Sequence, residues 1–250
     1  MSTKRVLLTG TDGQLGQALR QRVPADIELI AVRRSQLDLA DATACRQAVL
    51  DLRPDWVLNG GAYTAVDKAE TEPELAEAVN AGAPEAFARA LAETGGRLLQ
   101  VSTDFVFNGR QGTPYRPDQA VDPLGVYGGS KALGEQRARQ AMPHDRCCIL
   151  RTSWVYGPVG KNFCLTMLRL HRLKAEAGEP LAVVADQVGC PTSTLTLAAA
   201  CWSLVQRGIS GVHHWSDAGS ASWYDFAVAI GTQGAAQGLI DREARGLPCR

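Results

Sequence analysis

The sequence carries no excess charge: 26 Lys and Arg stand against 26 Asp and Glu, for a formal net charge of zero. A chain of this balance has no broad field to attract nucleic acid or an anionic membrane, so any phosphate recognition must be local. Long apolar runs are missing too. The N-terminal MSTKRVLLTG has two basic residues and then a short strand-like stretch broken by glycine, too brief for a signal peptide or a membrane span. A cytoplasmic protein with no membrane partner is expected. The seven cysteines (Cys45, Cys147, Cys148, Cys164, Cys190, Cys201, Cys249) form no CxxC pair and read as reduced core residues. The four histidines (His144, His171, His213, His214) show no HExxH-like spacing, so the sequence supports no metal site, Mg2+ included. No internal repeat or low-complexity linker is present.

What is present is ordinary globular material: 250 residues, 45% apolar and 21% charged, enough for one large domain or one domain with a small lobe. From Arg5 to Arg151, short aliphatic runs (RVLLT, ELIAV, WVLNG, RLLQVS, CCILRTS) alternate with Ala-rich helical segments beginning near Gln14, Ala42, Pro84 and Gly125. That alternation predicts an α/β fold, a Rossmann-type doubly wound parallel sheet. After Trp154 the regularity weakens, and DQVGCPTS, GVHHWSDAG and SWYDFAVAI read as turn-rich islands among helices. The expected division is a dinucleotide-binding domain over 1–153 and a smaller substrate-binding lobe over 154–250, interleaved with the first.

Gly10, Gly13 and Gly16 follow the first strand and open a helix together with Gln14 and Leu15. Small residues there let backbone N–H groups approach a pyrophosphate, and the helix N-terminus adds partial positive charge. A merely structural glycine turn is the plain alternative. An NAD-preferring fold usually places an acidic residue at the end of the second strand. Here that end reads Val32, Arg33, Arg34, and guanidinium forks suit a 2′-phosphate. NADPH is therefore expected over NADH, solvated surface arginines being the alternative. Asp38 and Leu39 follow where an adenosine could rest, or where a helix-capping turn would do.

Tyr127 and Lys131 have YxxxK spacing, which puts both on one helix face. A phenol titrating near 10 is a poor acid at neutral pH, and an ammonium beside it makes the phenolate easier to form. Alone the pattern arises often by chance. LLQVSTDFVFNG, however, ends a strand at Ser102 and Thr103, where a hydroxyl can bond a carbonyl oxygen that is gaining charge. NGGAYTAVD, with Gly61, Ala62 and Tyr63, brings small residues close to the cofactor after the third strand. Three strand ends are thus expected to converge on one pocket.

With these motifs in place, the chain resembles the extended short-chain dehydrogenase/reductase superfamily, which works on nucleotide sugars, and within it the family of dTDP-4-dehydrorhamnose reductases. AYTAVDKAE, STDFVFNG, DPLGVYGGSK, LRTSWVYG, DQVGCPT and GVHHWSDAGSASWYDFA carry the likeness across nearly the whole chain. The resemblance implies NADPH-dependent reduction of the 4-keto group of dTDP-4-dehydro-L-rhamnose. Tyr127 would give the proton, Lys131 would bind the nicotinamide ribose and tune Tyr127, and Thr103 would hold the keto oxygen. Val66 and Trp154 would line the sugar pocket, Trp154 by stacking. Asn162 would sit near the nucleotide diphosphate, and Asp104 would adjoin the substrate or support the site. Related dehydratases carry an Asp-Glu pair after the threonine; here Phe105 follows Asp104, and phenylalanine cannot transfer a proton, which leaves simple reduction. The family usually continues into a segment ending in an Ala-Arg-Arg-Pro type motif, whereas this chain stops at GLPCR; either the chain is truncated, with part of the substrate lobe missing, or its end diverges. A non-catalytic regulatory subunit, as the similar beta subunit of methionine adenosyltransferase illustrates, is the second reading. Oligomeric state is left open, a homodimer included.

Overall fold

A computed structural model describes residues 3–249. The elements run β1 (Lys4–Thr9), α1 (Gln14–Gln21), β2 (Ile27–Ala31), α2 (Ala42–Leu52), β3 (Trp56–Asn59), α3 (Val66–Ala69), α4 (Pro73–Glu77), a π-helical turn (Ala78–Gly82), α5 (Ala83–Thr94), β4 (Arg97–Thr103), a 3-10 turn (Asp104–Val106), α6 (Val126–Ala141) and β5 (Cys147–Thr152). Then follow β6 (Val155–Tyr156), α7 (Phe163–Ala177), β7 (Leu181–Val184), β8 (Val188–Gly189), β9 (Thr192–Ser193), α8 (Thr194–Arg207), β10 (Gly211–His214), β11 (Ala221–Ser222), α9 (Trp223–Ala236) and β12 (Gly246–Cys249).

The chain divides into two compact units, one of residues 1–152 with 197–215, the other of 153–196 with 216–250. The first is built on a six-stranded sheet ordered β10-β5-β4-β3-β1-β2, every pair of it parallel. Strands covered on both faces must be apolar on both, and they are: Val6, Leu7, Leu8, Val57, Leu58, Leu98, Leu99, Cys148 and Ile149 are fully buried. Leu7, Val57, Leu98 and Ile149 pack with Phe87 and Leu91 of α5, Val49 of α2 and Ala138 of α6. Elsewhere in this unit α1 and α8 meet, where the Trp202 indole N–H donates to the Leu19 carbonyl at 3.1 Å. Lys4 ties the end of α8 to the start of β1 by donating to the Val205 and Gln206 carbonyls, a cation meeting the negative pole of a helix.

Because β2 lies on one side of β1 and β3 on the other, the strand order reverses between β1 and β3, which opens a crevice at their carboxyl ends. The edge strand β10 differs from the sequence expectation. GVHHWSDAG read as a turn-rich island, yet Gly211–His214 extends beside Cys148–Arg151 of β5. Four residues with two histidines carry no apolar alternation, and it is pairing with β5 that makes them a strand. The short helical pieces between β3 and α5 were also unforeseen, being too short to show a period.

The second unit packs α7, α9 and β7 around Met167, Ala175, Leu181, Val183, Ala227 and Ile230. Asn162 caps α7 by accepting from the Leu165 N–H, and Ser222 with Asp225 forms a capping box on α9. β12 adds in parallel to β7. All seven cysteines are free thiols, but not all are core: Cys164 and Cys190 are half-buried and Cys249 is exposed. Cys249 ends the two-stranded ribbon of β7 and β12. No helix among the described residues is long and apolar enough to cross a membrane.

Candidate active site

The crevice between β1 and β3 is closed by glycine. Gly10 has φ +69, and a Cβ there would stand 2.5 Å from the Gly61 nitrogen, so only glycine lets the loops after β1 and β3 touch. At Gly16 a Cβ would stand 2.1 Å from the Gly10 carbonyl oxygen, and its absence seats α1 on the loop. The Gly13 N–H closes the turn on the Gly10 carbonyl at 3.0 Å, and Gly13 is an N-cap with no side chain over the helix end. The N-terminal end of α1, with its partial positive charge, therefore faces the loop without a side-chain cap, while Leu15 is buried beneath. This cradle fits a pyrophosphate.

β2 stops at Ala31, and Arg33 and Arg34 extend beyond it. Their side chains are 63% and 80% exposed, with Arg33 3.6 Å from Asp12 and Arg34 4.0 Å from Asp38, pairs too loose and wet to fix either guanidinium. Asp38 accepts from the Ala40 N–H, and Leu39 lays its Cδ1 against Gly61. After β3, the Tyr63 backbone is clamped at both polar atoms by the Asn80 amide, at 2.9 and 3.1 Å. Asn80 also donates to Ser130 of α6, so the π-helical turn holds the Gly61–Tyr63 loop against the helix that bears Tyr127. Nothing in the sequence pattern singled out Asn80, whose only signal was an amide inside an Ala-rich segment. Val66 opens α3 and is 37% exposed.

The structure brings Thr103, Asp104, Tyr127 and Lys131 together. α6 starts beside the turn after β4 because Gly128 has no side chain: a Cβ would sit 2.2 Å from the Phe105 carbonyl oxygen. Phe105 meets the Tyr127 ring edge-on at 5.5 Å. Thr103 donates to Asp104 Oδ1 at 3.0 Å and accepts from the Phe105 N–H. Burial pushes the Tyr127 phenol up to about 12, the Asp104 charge adds to this, and a hydrogen bond to Thr103 opposes it. Burial likewise raises the Asp104 carboxyl. Lys131, 4% exposed, is lowered to about 8 by desolvation, against the pull of Glu135. Its Nζ donates to the Val101 carbonyl at 2.7 Å. That bond ties the ammonium to β4 one helical turn beyond Tyr127. One turn further on, Glu135 is bound by Arg151, at 2.6 Å through Nη2, and by the Ser102 hydroxyl.

Trp154 and Asn162 belong to the second unit. Trp154 has φ +47, a strained value for a side chain of that size. Its ring stacks on Trp223 at 3.4 Å between centroids and 6° between planes, and Gly189 packs so closely that a Cβ would lie 2.4 Å from the indole. A sugar could stack on this indole only where Trp223 and Gly189 leave it bare. Asn162, besides capping α7, donates to the Gly157 and Val159 carbonyls. Among the described residues no group of three or more His, Cys, Asp or Glu could hold a metal.

A parallel sheet, a glycine cradle at its switch point and a Thr-Tyr-Lys set at the neighbouring strand ends define a dinucleotide oxidoreductase fold, and comparison with known proteins gives it a family. Residues 4–245 match the RmlD substrate binding domain model. The chain belongs to the RmlD family. A dTDP-4-dehydrorhamnose reductase of Sinorhizobium fredii is 40% identical over 233 residues, 90% of this chain and 77% of that protein. A dTDP-4-keto-6-deoxy-D-glucose reductase of Streptomyces niveus is 38% identical over 90% of this chain and 77% of its own length. The crystal structure of dTDP-4-dehydrorhamnose reductase from Bacillus anthracis in complex with NADP superposes with a TM-score of 0.90 at 33% identity, covering 100% of this chain and 84% of that one. As an RmlD-family chain, this one shares its architecture with enzymes.

Proposed function

We propose that this chain is an NADPH-dependent reductase that converts the 4-keto group of dTDP-4-dehydro-L-rhamnose to the hydroxyl of dTDP-L-rhamnose. The observation that carries this reading is the placing of a desolvated phenol with the Thr103 hydroxyl at the end of β4, on the helix turn that precedes a buried lysine. A proton donor for an alkoxide needs its proton in place at working pH, and Tyr127 has it. When bound, the nicotinamide supplies hydride to the keto carbon. Thr103 turns its hydroxyl from Asp104 to the keto oxygen, and Tyr127 delivers a proton to that oxygen as negative charge gathers there. The resulting phenolate is held by the charge of Lys131 and regains a proton from solvent. Phe105, where an elimination enzyme would need an acid or base, leaves nothing to remove water from the sugar.

Gly10, Gly13, Gln14, Leu15 and Gly16 are assigned to the cofactor diphosphate, Arg33 and Arg34 to a 2′-phosphate, Asp38 and Leu39 to the adenosine, and Gly61, Ala62 and Tyr63 to the cofactor's inner wall. Lys131 takes the nicotinamide ribose beside Tyr127. Val66, Asp104, Trp154 and Asn162 are assigned to the nucleotide sugar. The reaction is placed in the cytoplasm, where NADPH is regenerated.

The deciding experiment follows NADPH oxidation with dTDP-4-dehydrorhamnose generated in situ. Tyr127→Phe is expected to lose about a hundredfold or more in kcat while binding NADPH as the wild type does. Absence of turnover in folded wild type that still binds NADPH would overturn the enzymatic reading in favour of a regulatory subunit. Turnover of dTDP-4-keto-6-deoxy-D-glucose alone would move the substrate to that sugar.

A further inference from the structure

Polar side chains are out of place in the middle of a parallel sheet covered on both faces, yet three lie side by side, at the carboxyl ends of β1 and β3 and midway along β4. Thr9, Asn59 and Gln100 are 2%, 0% and 2% exposed, and Asn59 stands in register with both of the others. Their hydrogen bonds run in one direction. The Gly61 N–H donates to the Thr9 hydroxyl at 3.3 Å, which donates to Asn59 Oδ1 at 2.5 Å. Asn59 Nδ2 donates to Gln100 Oε1 at 2.7 Å, and Gln100 Nε2 donates to the Val101 carbonyl at 2.8 Å. That carbonyl is the one to which Lys131 donates.

The order of donors leaves each amide a single orientation. Thr9, already accepting from Gly61, must turn its proton to Asn59. Asn59 then presents its NH2 to Gln100, whose own NH2 is left for Val101. Reversing any one amide breaks two buried bonds, each costly to leave unmade in a place without water. At one end the chain touches Gly61, the residue that Gly10 packs against. At the other it shares a carbonyl with the buried ammonium. β3 ends opposite Gln100, so Val101 has no β3 residue in register and its carbonyl is met by side chains.

We infer that Thr9, Asn59 and Gln100 are positioning residues that lock the Lys131 ammonium in register with the glycine cradle, so that one buried network sets both ends of the cofactor site. The inference rests on the assignment of Lys131 to the nicotinamide ribose. The amides touch neither cofactor nor sugar; they act by holding the Val101 carbonyl and the Gly61 N–H. With the carbonyl fixed, Lys131 keeps its Nζ in one place, and its remaining N–H groups are aimed as a pair.

The test measures NADPH dissociation constants by cofactor fluorescence, on the full chain without sugar, for Gln100→Met and Thr9→Val in wild-type and Lys131→Met backgrounds. In the wild-type background each substitution is expected to weaken NADPH about tenfold, the size of one buried hydrogen bond. In the Lys131→Met background Gln100→Met is expected to cost less than about twofold, because there is no ammonium left to position. Thr9→Ser, which keeps the hydroxyl, is expected to bind as wild type. A tenfold loss that persists without Lys131 marks Gln100 as merely structural and overturns the proposal, as does unchanged affinity in the single variants. Should Gln100→Met fail to fold, Gln100→Glu takes its place: it keeps the bond to Asn59, cannot donate to Val101, and is held to the same two outcomes. Failure of wild type itself to bind NADPH would strike the reductase reading instead.

Discussion

Lys131 is a buried cation whose ordinary value of 10.5 is lowered to about 8 by desolvation, and this separates the protein's stability from its cofactor affinity as pH rises. Below about 8 the folded chain bears the cost of a desolvated ammonium. Between about 8 and 10.5 the folded state has lost that proton while the unfolded state still holds it, so this site makes the fold more stable as pH rises. Cys45, Cys148 and Cys201 work the other way: burial raises their thiols from 9.0 to about 12, so their contribution is present below 9 and is lost at higher pH. Comparing wild type with Lys131→Met cancels the thiols. The stability difference, from denaturant melts, is expected to shift toward wild type between pH 8 and 10.5, while NADPH affinity of wild type falls over the same range. A difference that stays flat with pH would mean that Lys131 titrates as an exposed lysine. Of the residues at this site, Thr103, Tyr127 and Lys131 were legible in the sequence because strand end and helix spacing are local patterns. Asn59 and Gln100 were not legible as a pair. Each is one polar letter in an apolar strand, and what joins them is register between β3 and β4, which no local pattern contains. Trp154 stood out in the sequence as an aromatic after the last regular strand, but its stacking partner Trp223 lies far along the chain and no local pattern joins the two.

Elements meet where glycine permits, and α6 gives a case in which two neighbouring glycines should behave oppositely. Gly128 faces the turn after β4, with the Phe105 carbonyl where a Cβ would go, whereas nothing lies within 4 Å of a Cβ on Gly129. Helix propensity alone favours alanine at either position by about 1 kcal/mol. Gly129→Ala is therefore expected to raise the melting temperature slightly with kcat unchanged. Gly128→Ala must move α6 from the turn, which pulls Tyr127 from Thr103; it is expected to lower both the melting temperature and kcat, and equal behaviour of the two variants would contradict this packing. A second element-scale expectation concerns Glu135 of α6 and Arg151 of β5, whose side chains are 5% and 6% exposed. Arg151→Met strands a buried carboxylate and should cost about 3–5 kcal/mol in denaturant melts. Converting the pair together, with Glu135→Met added, should recover part of that loss.

At the scale of the molecule, the sheet is not finished by the first 152 residues. Its edge strand β10 and most of the helix α8 come from 197–215, so the order of the chain and the order of the sheet disagree. The sequence showed five strands of this sheet clearly because each lies in a regular alternation with a helix, and it missed the sixth because β10 is short and gains its form only from β5.

That late return sets a schedule for synthesis. As the chain leaves the ribosome, β5 has an open flank until some sixty further residues have followed, and a row of unpaired backbone groups beside an apolar strand is a template for a neighbouring nascent chain. A chain released at residue 196 is expected to aggregate or to sit on a chaperone, whereas one released at 215, with β10 in place, should remain dispersed, as pelleting of the two fragments after translation in a cell-free system would reveal. Equal pelleting of both would mean that β10 does not close that flank. On this view β10 has its main effect before the first turnover, as the piece that ends the growing sheet's vulnerability.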